Sequence, residues 1–102
     1  MTESWVELKD RLIRERGKYC ERCGAEAMDL HHGLIGRMKK KPELNVEENG
    51  ELLCRECHKY PGGYKERVKF WKRQCKRYGY EHMRIWYDGL NLKVKEIFPT
   101  QK

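Results

Sequence analysis

Four cysteines of the chain form two C-x-x-C pairs, and such pairs commonly bind metal. The first pair is Cys20 and Cys23, and the second is Cys54 and Cys57. Each pair can direct two thiolates at one tetrahedral zinc ion, and four thiolates leave no coordination position open for a substrate. We therefore expect a structural zinc site. Disulfides and a redox pair are minor alternatives, and Cys54 to His58 also matches a c-type haem attachment pattern.

A second group of residues lies in and just after the 30-residue segment that separates the two cysteine pairs. It contains His31, His32, Asn49 and, directly after the second pair, His58. A neutral imidazole can accept a proton from water near pH 7, and it can also bind a divalent metal ion. Adjacent histidines are often only solvated, and we expect His82 to be of that ordinary kind.

Taken together, these residues resemble the zinc-containing branch of the HNH endonuclease family. The resemblance covers about residues 18–78 and depends on the order and spacing of several elements. It implies a ββα-metal finger, in which a strand ends in the base, a loop carries the asparagine, and a helix supplies a metal-binding histidine. The matching elements are Cys20-x-x-Cys23, Leu30-His31-His32-Gly33, Asn49, and Leu52-Leu53-Cys54-Arg55-Glu56-Cys57-His58.

The resemblance also implies a role for each residue of the second group. His32 occupies the position of the general base, and Asn49 would keep it aimed, either by holding the imidazole or by bracing the loop. Asn45 is a nearby rival for that asparagine role. His31 and His58 occupy the positions that bind a catalytic divalent metal, and the products would carry 5′-phosphate and 3′-hydroxyl ends.

Two departures from the family pattern bear on the metal and on the helix that carries His58. His31 stands where relatives often have aspartate, which softens the site and leaves Mg²⁺, Mn²⁺, Ni²⁺, Co²⁺ and Zn²⁺ open as the catalytic ion. Pro61-Gly62-Gly63 interrupts the stretch in which relatives continue the helix, so His58 is expected on one short turn.

The charge of the chain favours a polyanionic partner. The net charge is +7, and residues 59–84 contain nine Lys or Arg against Glu66 and Glu81. A charge-rich surface selected for solubility would give similar totals, but this local asymmetry favours phosphate binding. We predict nucleic acid as the partner, with double-stranded DNA preferred and RNA left open as the alternative. The candidate contacts are Arg37, Lys39, Lys40, Lys72 and Lys76. Arg37 is the candidate for the scissile phosphate, and a merely solvated loop arginine is the equal alternative.

The same residues fit a rival function, a non-catalytic zinc module that binds nucleic acid or a protein partner. It would need the cysteine pairs and the basic residues, but not the set His31, His32, Asn49 and His58. A haem or redox protein is the third class that the cysteine pattern allows.

Hydrophobic patterning predicts the elements that position these residues. A helix over 4–16 is indicated by the capping-box spacing of Ser4 and Glu7 and by the stop at Gly17. A second, basic helix is indicated over 64–78, and alternation around Asp88-Gly89 predicts a β-hairpin over about 82–95. The predicted fold is α+β: one small zinc-stapled ββα-metal domain over 1–102, with an N-terminal helix and a C-terminal hairpin.

Composition is consistent with a small domain that needs a staple. Hydrophobic and charged residues each make up 38% of the 102 residues, so little apolar surface is available for a core. No segment approaches the roughly 18 apolar residues that span a membrane, and the start of the chain lacks the pattern of a secretory signal. We expect a cytoplasmic protein without a membrane partner. By analogy with small relatives, it would act in a phage-infected host cell or with a partner protein of a phage or mobile element.

Overall fold

The computed structural model describes residues 3–35, 44–60 and 62–90. In this part of the chain it contains four α-helices and one two-stranded antiparallel sheet, so the α+β class is confirmed. A single 3-10 turn, Glu47–Asn49, precedes the second strand. The elements in chain order are α1 (Trp5–Arg16), β1 (Asp29–His32), β2 (Gly50–Leu53), α2 (Arg55–Lys59), α3 (Tyr64–Tyr78) and α4 (Tyr80–Gly89).

Residue contacts divide the chain into two compact units, Met1–Pro61 and Gly62–Lys102. The first unit contains α1, the sheet and α2, and the second contains α3 and α4. The single domain predicted for 1–102 stays a prediction. Within the described ranges, no helix is long and apolar enough to cross a membrane.

Helix α1 forms where the sequence predicts it. The Ser4 hydroxyl accepts a hydrogen bond from the Glu7 backbone N–H, and the Glu7 carboxylate accepts one from the Ser4 N–H, which satisfies two donors that the first turn leaves open. The helix ends at Gly17, whose φ of +92° is costly for any other residue. Its buried face, Leu8 and Leu12, packs with Ala27, Leu30 and Leu52 to form the core of the first unit.

The sheet separates its side chains into two faces. Leu30 pairs with Leu52 and faces the α1 core, whereas His31 pairs with Glu51 on the opposite face. Gly50 pairs with His32 at the end of the ribbon. A Cβ atom at Gly50 would lie 3.0 Å from Leu12 Cδ1 and 3.2 Å from Leu30 Cδ1, so the close approach of α1 favours glycine there.

Side chains and loop backbone occupy both edges of this two-stranded sheet. On β1, the Trp5 indole N–H donates to the Leu30 carbonyl at 3.2 Å. On β2, Arg16 donates to the Gly50 carbonyl at 2.7 Å, and the backbone N–H of Glu21 donates to the Leu52 carbonyl at 2.8 Å. These bonds occupy positions that a neighbouring strand would otherwise fill, and they tie α1 and the first cysteine pair to the sheet.

Helices α3 and α4 pack through apolar side chains within the second unit. The rings of Trp71 and Tyr87 meet edge to face, with centroids 6.0 Å apart. Other buried side chains of these two helices are Phe70, Gln74 and Met83.

The predicted C-terminal hairpin is wrong over its first strand, because Tyr80–Gly89 is the helix α4. Met83 and Tyr87 are four residues apart and both buried, with buried Leu90 following, so they form a helical stripe. Ile85, which lies between Met83 and Tyr87, is 75% exposed, whereas a strand would have placed Met83, Ile85 and Tyr87 on one face. The remainder of the predicted hairpin, 91–95, lies outside the described residues.

Candidate functional site

The four cysteines of the two C-x-x-C pairs converge on one point. Their Sγ atoms all lie within 4.8 Å of one another, and the Sγ atoms of Cys23 and Cys54 are 3.6 Å apart. Four sulfurs bound to one zinc at about 2.3 Å stand about 3.8 Å from each other. Cys20, Cys23, Cys54 and Cys57 are therefore positioned to hold a metal ion such as zinc.

Hydrogen bonds from nearby backbone groups, burial and the neighbouring thiols change the pKa values of the cysteines. The backbone N–H of Cys57 donates to Cys54 Sγ at 3.4 Å at the start of α2. Burial raises the pKa of the Cys20 thiol, but hydrogen bonds from the backbone of Cys54, Cys23 and Arg22 outweigh it and lower the pKa to about 6. Burial and the neighbouring thiols raise the pKa of Cys57 to about 12. The cluster thus favours one thiolate by itself, and a bound divalent cation would favour the remaining ones.

Two buried ion pairs join the first cysteine pair to the rest of its unit. Glu21 contacts Arg16 at 2.9 Å, with both side chains under a tenth exposed. Arg22 grips Glu51 through two hydrogen bonds, at 3.1 and 3.2 Å, and the Glu51 side chain is fully buried. Arg22 lies between Cys20 and Cys23, and Glu51 pairs with His31 across the sheet. The contact of Arg22 with Glu51 therefore connects the first cysteine pair to the position in β2 opposite His31.

The structure brings His31 and His58 together. Their ring centroids are 5.2 Å apart, and the rings meet at 64°. His58 lies in α2, the five-residue helix Arg55–Lys59, and α3 begins only at Tyr64, so His58 occupies a short helical turn as predicted. Burial lowers the pKa of His31 to about 4, with the charges of His58 and Arg22 adding to the effect. His31 is therefore neutral at physiological pH, which is the form that binds a metal ion.

Asp29 orients the His58 ring. Its Oδ2 atom lies 3.1 Å from Nδ1 of His58. Because a carboxylate only accepts hydrogen bonds, this contact places the hydrogen on Nδ1 and leaves Nε2 as the nitrogen with ligand character. A carboxylate that holds the far nitrogen of a histidine is the usual support of a metal ligand. Asp29 stands two positions before His31 in β1 and therefore shares its face of the sheet.

His32 is held by a different set of contacts. It follows His31 in the strand, so its side chain lies on the α1 face. Its ring stacks on the indole of Trp5, with centroids 4.0 Å apart and 3° between the planes. Its Nε2 atom lies 2.9 Å from Oδ1 of Asn45. The direct amide contact to the imidazole is thus made by Asn45, the rival that the sequence offered.

Asn49 braces the loop that follows β1. Its fully buried side chain makes four hydrogen bonds, all to backbone atoms. The Oδ1 atom accepts from the N–H groups of Leu34 and Ile35 at 3.0 Å each, and Nδ2 donates to the carbonyls of Ile35 and Leu44 at 2.9 Å each. Of the two roles that the sequence left open for Asn49, these side-chain hydrogen bonds match bracing of the loop.

The predicted nucleic-acid contacts are only partly within the described residues. Lys72 and Lys76 are exposed on α3. Arg37, Lys39 and Lys40 lie outside the described residues. His82, expected to be an ordinary surface histidine, is exposed and stacks on Tyr78 with ring centroids 5.6 Å apart.

Sequence reasoning missed two residues that hold the imidazoles, Trp5 and Asp29, and it offered Asn45 only as the rival of Asn49. For Asp29 a signal existed, because strand alternation places a residue two positions before His31 on the same face. For Trp5 no local signal exists, and for Asn45 no local signal favours it over Asn49. Their contacts depend on how α1 and the loop return to the end of β1.

Comparison of the chain with known protein families, with curated proteins and with solved structures finds no match. The chemistry of its side chains is therefore what bears on its function. Two neighbouring imidazoles, one of them supported by a carboxylate, can bind a divalent cation. A third imidazole at the end of the same strand, held in a fixed orientation, can accept a proton.

Proposed function

We propose that the protein is a metal-dependent endonuclease of the HNH type that hydrolyses phosphodiester bonds in double-stranded DNA. The observation that carries the proposal is the pairing of His31 with the Asp29-supported His58, at 5.2 Å between ring centroids, next in the chain to His32. A zinc site that only stabilises the fold has no use for this arrangement.

In this proposal His31 and His58 hold the catalytic divalent ion. His31 is neutral because burial lowers its pKa to about 4, and His58 presents Nε2 because Asp29 engages Nδ1. Imidazole ligands favour Mn²⁺, Co²⁺, Ni²⁺ or Zn²⁺ over Mg²⁺. When bound, the ion would neutralise the charge that develops on the leaving 3′ oxygen.

His32 serves as the general base. The amide oxygen of Asn45 accepts a hydrogen bond from Nε2, so the lone pair of the neutral ring is on Nδ1. Nδ1 takes a proton from the attacking water as the new bond to phosphorus forms. Stacking on Trp5 restricts rotation of the ring and so keeps this lone pair in one direction.

The remaining residues support this arrangement. Asn49 holds the loop from Leu34 to Leu44 at its two ends and so keeps Asn45 near His32. The four-cysteine zinc site stabilises the sheet that carries His31 and His32. Family resemblance implies that the products carry 5′-phosphate and 3′-hydroxyl ends.

A non-catalytic zinc module that binds nucleic acid is the alternative function. The cysteine cluster and the exposed lysines of α3 favour it as much as they favour a nuclease. The contact between Asp29 and His58 favours the nuclease, because an exposed structural histidine needs no carboxylate to orient it.

Cleavage of supercoiled plasmid across a series of divalent metals tests the proposal. Wild-type protein and His32→Ala are compared after each is shown to retain one tightly bound zinc ion, with His82→Ala as the control for removal of a surface histidine. We expect His82→Ala to cut like wild type and His32→Ala to lose cleavage while it retains DNA binding. The proposal fails if the wild type binds DNA but cuts it with none of Mg²⁺, Mn²⁺, Co²⁺, Ni²⁺ and Zn²⁺. It fails equally if His32→Ala cuts like wild type.

A further inference from the structure

Four lysines form a single row along α3, which we call the lysine row: Lys65, Lys69, Lys72 and Lys76. Their spacing of four, three and four residues places them within an arc of about 60° on a helix that turns about 100° per residue. All four are exposed. At about 1.5 Å of rise per residue, the row extends about 16 Å along the helix.

The other side of α3 is fixed by packing. Phe70, Trp71 and Gln74 are buried there, and the ring of Trp71 contacts Tyr87 of α4. The helix therefore cannot rotate to bury the lysines and expose its apolar face. The lysine row is a permanent feature of the surface of the second unit.

The positive charge on α3 is far from balanced along the helix. The helix has seven basic residues and one acidic residue, Glu66, which contacts Lys69 at 3.4 Å. Successive members of the row are three or four residues apart, the spacing at which like charges repel on a helix. A ligand of opposite charge would relieve this repulsion.

Helix α1 shows that charge on this protein can be arranged differently. Arg11 contacts three carboxylates, those of Glu3, Glu15 and Glu47, at 2.8 to 3.1 Å. Three acidic and four basic residues are interspersed along α1, and pairs of opposite charge stabilise a solvated helix. A surface that serves solubility alone would have the same mixture, and the lysine row does not.

We propose that the lysine row binds the phosphate backbone of double-stranded DNA. The choice of DNA rests on the function proposed above, and the choice of surface rests on charge complementarity. A DNA duplex carries one negative charge per about 1.7 Å of its axis, so a straight row of ammonium groups faces several phosphates at once. Lysine suits this contact because it is a point charge that needs no particular phosphate orientation.

Other polyanions fit the row less well. No aromatic residue of α3 lies within its arc, and proteins that hold single strands combine positive charge with aromatic side chains on which bases stack. An anionic membrane binds helices that insert an apolar face, and the apolar face of α3 is buried. The row has no residue that reads base edges from a planar amide or guanidinium. It therefore binds DNA without regard to sequence.

Salt dependence of DNA binding tests the proposal on the full-length, zinc-loaded protein without added catalytic metal. Log affinity decreases linearly with log salt concentration, and each phosphate contact contributes about one unit to the steepness of that slope. In Lys65→Gln/Lys69→Gln/Lys72→Gln/Lys76→Gln the slope should therefore become shallower by about three to four units. The same four positions changed to arginine should keep the wild-type slope. Two further variants each remove two positive charges. Lys72→Gln/Lys76→Gln, within the row, should make the slope shallower by about two units, whereas Arg14→Gln/Lys18→Gln, in the first unit, should leave the slope unchanged.

Cleavage plays no part in these readouts, so their failure is distinct from failure of the nuclease proposal. His32→Ala should bind duplex DNA with the slope of the wild type even if the plasmid assay shows no cutting by either. The inference is overturned if the four-glutamine variant, with unchanged helix content and zinc, binds with the wild-type slope. It is also overturned if the arginine variant loses binding as the glutamine variant does, or if glutamine abolishes binding to phosphatidylserine vesicles and leaves DNA binding intact.

Discussion

The indole of Trp5 lies flat against the imidazole of His32, with 4.0 Å between ring centroids and 3° between planes. The same indole donates its N–H to the carbonyl of Leu30 at 3.2 Å, so one side chain fixes both the strand and the ring at its end. Trp5 opens helix α1, which is thereby part of the candidate active site.

Removal of the stacking surface should slow cleavage without affecting metal content. In Trp5→Leu, the His32 ring can rotate away from its productive direction, and we expect a fall of roughly ten- to a hundred-fold in the single-turnover cleavage rate. Trp5→Phe keeps a stacking surface and should lose less. Val6→Ala, at a neighbouring exposed position, is the control and should cut like wild type. A Trp5→Leu protein that folds and cuts at the wild-type rate would show that Trp5 only stabilises α1.

The carboxylate that supports His58 should set the affinity for the catalytic metal. In Asp29→Ala, His58 loses the contact that fixes its tautomer, and Mn²⁺ affinity measured by titration calorimetry should fall about ten- to a hundred-fold. The bound zinc should stay, because no cysteine contact changes. Glu56→Gln is the control, because Glu56 is an exposed carboxylate of α2, the helix that carries His58. Equal Mn²⁺ affinities for Asp29→Ala and Glu56→Gln would exclude Asp29 as a support.

Substitution of Asn49 should mainly lower the free energy of unfolding, whereas substitution of Asn45 should mainly lower the cleavage rate. In Asn49→Ala, four backbone groups of the buried residues Leu34, Ile35 and Leu44 lose their partner, and the free energy of unfolding in urea should fall by roughly 2–4 kcal/mol. In Asn45→Ala, one contact to an imidazole is lost. We expect little change in stability there, but a slower cleavage rate. The reverse pattern, with Asn45→Ala the less stable protein, would contradict both assignments.

Loss of zinc should unfold the first unit. In Cys54→Ser, the cluster loses one thiolate while the serine hydroxyl can still cap α2, so native mass spectrometry should show loss of the bound zinc and circular dichroism a loss of structure. Cys75→Ser is the matched control, because Cys75 lies outside the cluster and should keep one zinc per chain. Retention of zinc and of the wild-type melting temperature in Cys54→Ser would mean that the cluster is not a structural metal site.

Sequence reasoning was reliable where a local pattern determines the outcome. The capping box of Ser4 and Glu7 identifies the start of α1 because both contacts form within one helical turn. The C-x-x-C pairs predict their own convergence, because each pair already directs two sulfurs to one side of a tight turn. The short turn that carries His58 followed from Pro61 and the two glycines after it.

Sequence reasoning failed where tertiary packing decides between two patterns. Met83, Ile85 and Tyr87 satisfy strand alternation, whereas Met83, Tyr87 and Leu90 satisfy a helical stripe equally well. Burial of that stripe in the second unit, with Tyr87 against Trp71 of α3, selects the helix, and no local signal indicates this. The same limit applies to Trp5 and to the choice between Asn45 and Asn49, because both contacts to His32 form only after the chain has folded back on itself.

The backbone hydrogen bond from Glu21 to Leu52 helps to fix the register of the sheet, and the register decides which face each histidine occupies. A slip of the ribbon by one residue would turn His31 inward and Leu30 outward, because side chains alternate at every position. The backbone N–H of Glu21, which lies between Cys20 and Cys23, donates to the Leu52 carbonyl at 2.8 Å, and the N–H of Met28 donates to the Leu53 carbonyl at 3.0 Å. The four-cysteine cluster thus acts as an anchor for strand alignment. Under the function proposed above, a single-residue deletion between Cys23 and Asp29 would accordingly abolish cleavage while leaving His31, His32 and His58 in the sequence.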